Sequence, residues 1–185
     1  MANDTLNPFD DFNRDIMLQS DTVDMCTMAL FEKFGRPGDA LIPTQIVVHY
    51  RAFFDSKGVQ PNFTGIHADE LQYVSTAFAP GHAGNVTKIL MTVYKDVHFF
   101  VLFYNGVENT IYVVNSLPTS FENIKWYINF LKAVVSAKGF LPPQVIIAPT
   151  RRQTDGTSCG VYTCWFVEMA LRDVSFLTQF NPYTY

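Results

Sequence analysis

Residues 87–115 hold three runs crowded with Val, Ile, Phe and Tyr, at 87–94, 98–104 and 110–115. Short segments this rich in β-branched and aromatic residues predict strands. Asn105-Gly106-Val107-Glu108-Asn109 reads as a turn, so the last two runs predict an antiparallel hairpin. Around this block the spacing is helical. Residues 21–34 carry Val23, Cys26, Leu30 and Phe34 on one face, with Ser20 or Asp21 as cap and Gly35 and Pro37 as stops. Residues 44–54 read as a second helix, although their β-branched run also fits a strand. Residues 67–78 read as a short helix and 79–84 as a loop. Residues 121–137 predict a long helix, with Thr119 and Glu122 at capping-box spacing and Gly139 at its end. Residues 144–148 predict a short buried strand. Residues 159–172 predict a last helix with Val161, Trp165 and Met169 on one face. The order predicts an α+β fold with a small central, mostly antiparallel sheet flanked by helices.

A chain of 185 residues, 48% hydrophobic, can bury one sizeable core. We expect an N-terminal arm over 1–17 and a single domain over 18–185. The net charge is −4 and Arg151-Arg152 is the longest basic run, which argues against a nucleic-acid groove or an anionic membrane surface. The most apolar stretch, 89–104, is interrupted by Lys95, Asp96 and His98, so it does not predict a membrane span. Three cysteines form no disulfide scaffold and point to a reducing compartment. The polar, acidic N-terminus does not read as a secretory signal. A cytoplasmic or nuclear location in a host cell is therefore expected, and not a secreted one. No Cys-x-x-Cys or His-x-x-x-His pair suggests a metal, and no Gly-rich phosphate loop suggests a cofactor.

The chemistry concentrates near the C-terminus, in Gln153-Thr154-Asp155-Gly156-Thr157-Ser158-Cys159-Gly160. Cys159 follows a polar loop and opens a helix, where backbone N–H groups and the helix dipole favour negative charge on sulfur. Taken alone, a cysteine is usually a buried structural thiol, and Cys164, inside the same helix, reads that way. Gly160 removes a side chain where a substrate must come close. His98 opens one strand and Asn115 ends the next, with a midpoint between Gly106 and Val107. A hairpin centred there sets the two side by side at its open end. Asn115 can then orient the imidazole of a general base, although Asn also commonly ends a strand. Gln153, six residues before the cysteine, can donate to a developing oxyanion or be an ordinary surface residue. His49 reads as a core or rim residue, and His67 and His82 lie near caps or loops.

Gln153-x-x-Gly156-x-x-Cys159-Gly160-Val161 resembles the active-site segment of the ubiquitin-like-protein-specific cysteine proteases. These include the SUMO and NEDD8 deconjugating enzymes and, more distantly, the adenovirus maturation protease. His98-Phe99, followed by strand–turn–strand ending in Val114-Asn115-Ser116-Leu117, resembles the family's His-Trp strand and its Asp-Ser-Leu ending. Leu18-Gln19-Ser20-Asp21-Thr22-Val23 looks like the family's Leu-Asn-Asp start of the first helix. The likeness spans roughly residues 18–172. It implies a papain-like fold with Cys159 as nucleophile, His98 as base, Asn115 as orienting residue and Gln153 as oxyanion donor. Three positions depart from the pattern: Asn115 stands for Asp, Phe99 for Trp, and Leu18 lies nearest a missing Trp. In deconjugating members, aromatics at such places clamp a Gly-Gly tail.

The implied reaction is hydrolysis of a peptide or isopeptide bond through a thioester. The missing aromatics, and a compact chain with its own Met, lead us to expect a viral enzyme that matures a capsid precursor. The alternative is removal of SUMO, NEDD8 or another ubiquitin-like modifier, by a cellular enzyme or bacterial effector. Acyl transfer would need a phosphate-binding pocket, for which Arg151-Arg152 is the candidate. A non-catalytic binding module is a fourth possibility. The expected partner is a protein substrate, met by a monomer, with neither membrane nor nucleic acid.

Overall fold

A computed structural model describes residues 18–56, 86–137 and 141–174. The expected arm over 1–17, the helix over 67–78, the loop over 79–84 and the stop at Gly139 lie outside these residues. In chain order the described elements are α1 (Ser20–Phe34), β1 (Asp39–Ile42), α2 (Thr44–Ser56), β2 (Lys88–Lys95), β3 (His98–Asn105), β4 (Thr110–Val114), α3 (Phe121–Ala137), β5 (Gln144–Ile147) and α4 (Cys159–Leu171).

The five strands lie side by side in sequence order. The long central pairings, β2 with β3 and β3 with β4, are antiparallel. The outer ones, β1 with β2 and β4 with β5, are parallel. Alternate residues sort to opposite faces, as the pleat requires. Ile89, Met91, Phe100, Leu102, Tyr104 and Val113 pack with residues of α2 and α3. Leu90, Val101, Phe103 and Val114 pack with α4, and the α1 residues Leu30, Phe31 and Phe34 close over them. A sheet covered on both faces explains why its strands read as continuous apolar runs. Each fully buried Leu, Ile or Phe contributes about 1.5–3 kcal/mol.

Asp24 on α1 accepts from the N–H groups of Thr44 (2.7 Å) and Gln45 (3.0 Å), so a neighbouring helix caps α2. Burial pushes the Asp24 carboxyl up, and these hydrogen bonds oppose that rise. The cap, with Thr44, Val47, Tyr50 and Phe54 buried at helical spacing, resolves the ambiguous 44–54 segment as helix.

Four details differ from the sequence reading. β1 was not expected, because four buried residues are too few to show a period. β5 is an edge strand rather than a buried one, with Ile146 and Ile147 exposed. On α4, Val161 faces out, while Thr163, Cys164, Phe166, Val167 and Ala170 are buried between α1 and the sheet. Helix α3 is capped by Ser120, whose Oγ accepts from the Asn123 N–H at 3.3 Å, and not by Thr119. No helix among the described residues is long and apolar enough to cross a membrane.

Candidate active site

His98 is the first residue of β3 and Asn115 directly follows β4. The register pairs Val101 with Val114 and Asn105 with Thr110. Extended by one position, it sets Asn115 across from Phe100, two residues from the direct opposition expected with His98. A shift of two keeps a side chain on its face. The pair is therefore diagonal, and His98 Nε2 lies 2.6 Å from Asn115 Oδ1. The Phe100 ring stacks beside the imidazole at 6.4 Å.

Asn115 is itself fixed. Its Oδ1 also accepts from the Leu117 N–H at 3.0 Å, and its backbone carbonyl accepts from Thr150 Oγ1 at 2.5 Å. An oxygen that accepts from Nε2–H leaves Nδ1 of the neutral ring with its lone pair. That nitrogen can take a proton from a thiol.

Cys159 opens α4 and is 1% exposed. It packs with Leu18, Val23, Phe99 and Cys164, and Tyr94 and Cys26 lie at the edge of this cluster. Phe99 and Leu18, the two positions where tryptophans are missing, thus both stand beside the candidate nucleophile. Tyr94 adds an aromatic ring 4.7 Å from Phe99. Cys164 is the core residue the sequence suggested: its hydrogen bond with Cys26 and its burial push its thiol well up.

Gly160 corrects an expectation. A Cβ there would sit 2.9 Å from Leu18 Cβ and 3.0 Å from Val23 Cγ2. Its missing side chain lets α4 press against the start of α1, rather than clearing a path for substrate.

The loop before Cys159 is held by side chains. Asp155 Oδ1 accepts from the N–H groups of Thr157 and Ser158, both at 2.7 Å, and its Oδ2 accepts from Ser158 Oγ at 2.8 Å. The Thr157 N–H, then the Ser158 hydroxyl and N–H, pull this carboxyl down to about 2. Gln153 is buried, not a surface residue. Its Nε2 donates to the Asp155 carbonyl at 2.8 Å, and its Oε1 accepts from Ser116 Oγ at 2.5 Å.

Three of the four expected residues are therefore linked: His98 pairs with Asn115, and Ser116, the next residue, bonds Gln153. Gln153 reaches Asp155, which holds Ser158, and Cys159 joins only as the residue after Ser158. Sequence reasoning missed Ser116 and Asp155. Asp155 had a signal, because a carboxylate just before a helix start is a capping candidate. Ser116 had none. His49 is exposed on α2. Among the described residues no cluster of three His, Cys, Asp or Glu could hold a metal.

The sequence matches no protein-family profile and no curated protein. Solved structures do share its fold. The SUMO protease Ulp1, with its catalytic cysteine oxidised to a sulfenic acid, superposes with TM-score 0.70 at 16% identity, over 97% of this chain and 80% of the other. Ulp1 in complex with Smt3, the yeast ortholog of SUMO, gives 0.65 at 16% identity over 91% and 72%. The Xanthomonas campestris effector XopD, bound to ubiquitin, gives 0.62 at 15% identity over 98% and 91%. The fold is accordingly α+β and papain-like, that of the ubiquitin-like-protein proteases.

Proposed function

We propose that this protein is a thiol protease that releases a ubiquitin-like modifier from its conjugates. The observation that carries the reading is the 2.6 Å His98–Asn115 pair, on a fold shared with Ulp1 and XopD, with Cys159 at a helix start. Both neighbours were solved with a modifier, SUMO's yeast ortholog for Ulp1 and ubiquitin for XopD. The maturation of a viral capsid precursor draws no such support, so deconjugation replaces it as the first reading.

Cys159 gives its proton to His98 Nδ1 and attacks the carbonyl of the scissile bond. Asn115 holds the ring and accepts from Nε2–H throughout. The negative charge on the tetrahedral oxygen is met by an N–H of Gln153 Nε2 and the backbone N–H of Cys159. The imidazolium protonates the leaving amine, and the thioester is hydrolysed by a water that His98 deprotonates. Asn115 carries no charge, so the imidazolium is balanced only by the thiolate or oxyanion it faces.

The test is to incubate wild type, Cys159→Ala and His98→Ala with SUMO, NEDD8 and ubiquitin carrying a C-terminal vinyl sulfone or aminomethylcoumarin. We expect one modifier to label Cys159 and be hydrolysed by wild type alone. Cleavage of a pooled peptide library without any modifier reaction would return the precursor-processing reading.

A further inference from the structure

The carboxamide of Gln153 has an oxygen and a nitrogen of nearly equal size. Only the nitrogen end can stabilise an oxyanion; the oxygen end would repel it. Something must therefore fix which end faces the reaction.

Two contacts do so. The Asp155 carbonyl accepts from Nε2 at 2.8 Å, and a flipped amide would bring two oxygens together there. Ser116 Oγ donates to Oε1 at 2.5 Å and is 1% exposed. The backbone repeats the link, because the Gln153 N–H donates to the Ser116 carbonyl at 3.1 Å. One N–H of Nε2 is used by Asp155, and the second remains to be aimed. Without the Ser116 hydroxyl, Oε1 becomes a buried acceptor with one partner fewer, and the side chain gains freedom to rotate.

We propose that Ser116 is a positioning residue that holds Gln153 in the orientation the Asp155 carbonyl selects, and so aims it for oxyanion stabilisation. The inference rests on the thiol-protease reading only in taking Cys159 as an acyl acceptor. Ser116 is joined by a peptide bond to Asn115, which orients His98. The end of β4 therefore positions both the base and the oxyanion donor, through two consecutive side chains.

The experiment compares two reactions of Cys159 in wild type, Ser116→Ala, Ser116→Thr, Gln153→Ala and the Ser116→Ala/Gln153→Ala double variant. Iodoacetamide alkylates sulfur by displacing iodide at a saturated carbon, so no oxyanion forms. p-Nitrophenyl acetate acylates it: the S–C bond forms, a tetrahedral oxyanion appears, and p-nitrophenolate leaves.

We expect Ser116→Ala to alkylate at the wild-type rate. This also reports an intact fold, thiol and His98. Its acylation burst should slow about 10–100-fold, within the loss from removing the donor itself. Ser116→Thr, which keeps the hydroxyl, should recover most of that loss. In the Gln153→Ala background, Ser116→Ala should add almost nothing. Wild-type acylation in Ser116→Ala, an equal loss of alkylation, or a full additional loss in the double variant would each overturn the proposal. Neither reaction uses a modifier, so failure to cleave modifiers would overturn the functional reading while leaving this one testable.

Discussion

The base side and the oxyanion side of the site are built by different means. His98 and Asn115 sit at the ends of two long strands, and their positions follow from the β3–β4 backbone ladder. Gln153 and the residues before Cys159 lie in a loop with no ladder. A few side-chain bonds from Ser116 and Asp155 hold that loop. A ladder spreads its tolerance over many backbone bonds, whereas a loop held by single side chains fails when one is lost. The site should thus be robust at the base and fragile at the oxyanion donor.

The largest expected effect is at Gln153. Gln153→Ala should lower kcat by about 10²–10³-fold, because an oxyanion donor acts in the transition state, while its two lost side-chain hydrogen bonds should cost only about 1–2 kcal/mol of stability. Steady-state kinetics and a melting curve measured together test this. A Tm loss in proportion would make Gln153 structural instead.

Gly160→Ala should cost about 1–3 kcal/mol, since the new Cβ meets Leu18 Cβ at 2.9 Å. Urea unfolding would read it. Activity should fall with it, because the shift it forces displaces Cys159.

Asp155→Ala should cost about 1 kcal/mol, because the Thr157 and Ser158 N–H groups lose their acceptor. Its pH dependence has a definite sign. The folded carboxyl titrates at about 2, below its ordinary value near 3.8. Its contribution is therefore present above pH ~4 and is lost as pH falls towards ~2. Melting curves of wild type and variant should converge over that window and stay apart above it.

The smallest effect lies on the strand side. Asp96 and Val97, the tight turn leading into His98, have φ of 51° and 62°. A β-branched residue is strained there. Val97→Gly should gain roughly 0.5 kcal/mol, the relief partly offset by glycine's entropy. Its kcat should not change. A changed kcat would mean that the base side is as delicate as the loop.

Much of this was legible in the sequence, for a reason tied to each element. Helix α3 announces itself through long helical spacing, and β2 to β4 through density of Val, Ile and Phe. Cys159 and His98 could be named because the chain has only three Cys and four His, and Asn115 and Gln153 because their spacing from these resembles a family's. The exact pairing of Asn115 was not legible, since sequence reports the parity of a strand and not its offset. The edge position of β5 was hidden because an apolar run such as Val145-Ile146-Ile147 looks the same whether covered or open. Ser116 was hidden because a serine next to a turn has many uses. Its 2.5 Å contact with Gln153 shows which one it serves.

The far end of α4 also bears on the nucleophile. Lys88 on β2 donates to the Ala170 carbonyl and to Asp173, and Arg36 reaches the same carboxylate at 2.6 Å. Lys88 holds the Asp173 carboxyl below the usual carboxylate range. A helix of 13 residues is roughly 20 Å long. Pivoting it by about 3° at that anchored end would carry the sulfur of Cys159 through about 1 Å, a displacement that can cost ~10² in rate. The ion cluster around Asp173 and the close packing of Gly160 on Leu18 therefore pin α4 at opposite ends, which leaves the helix that carries the thiol little room for such a pivot.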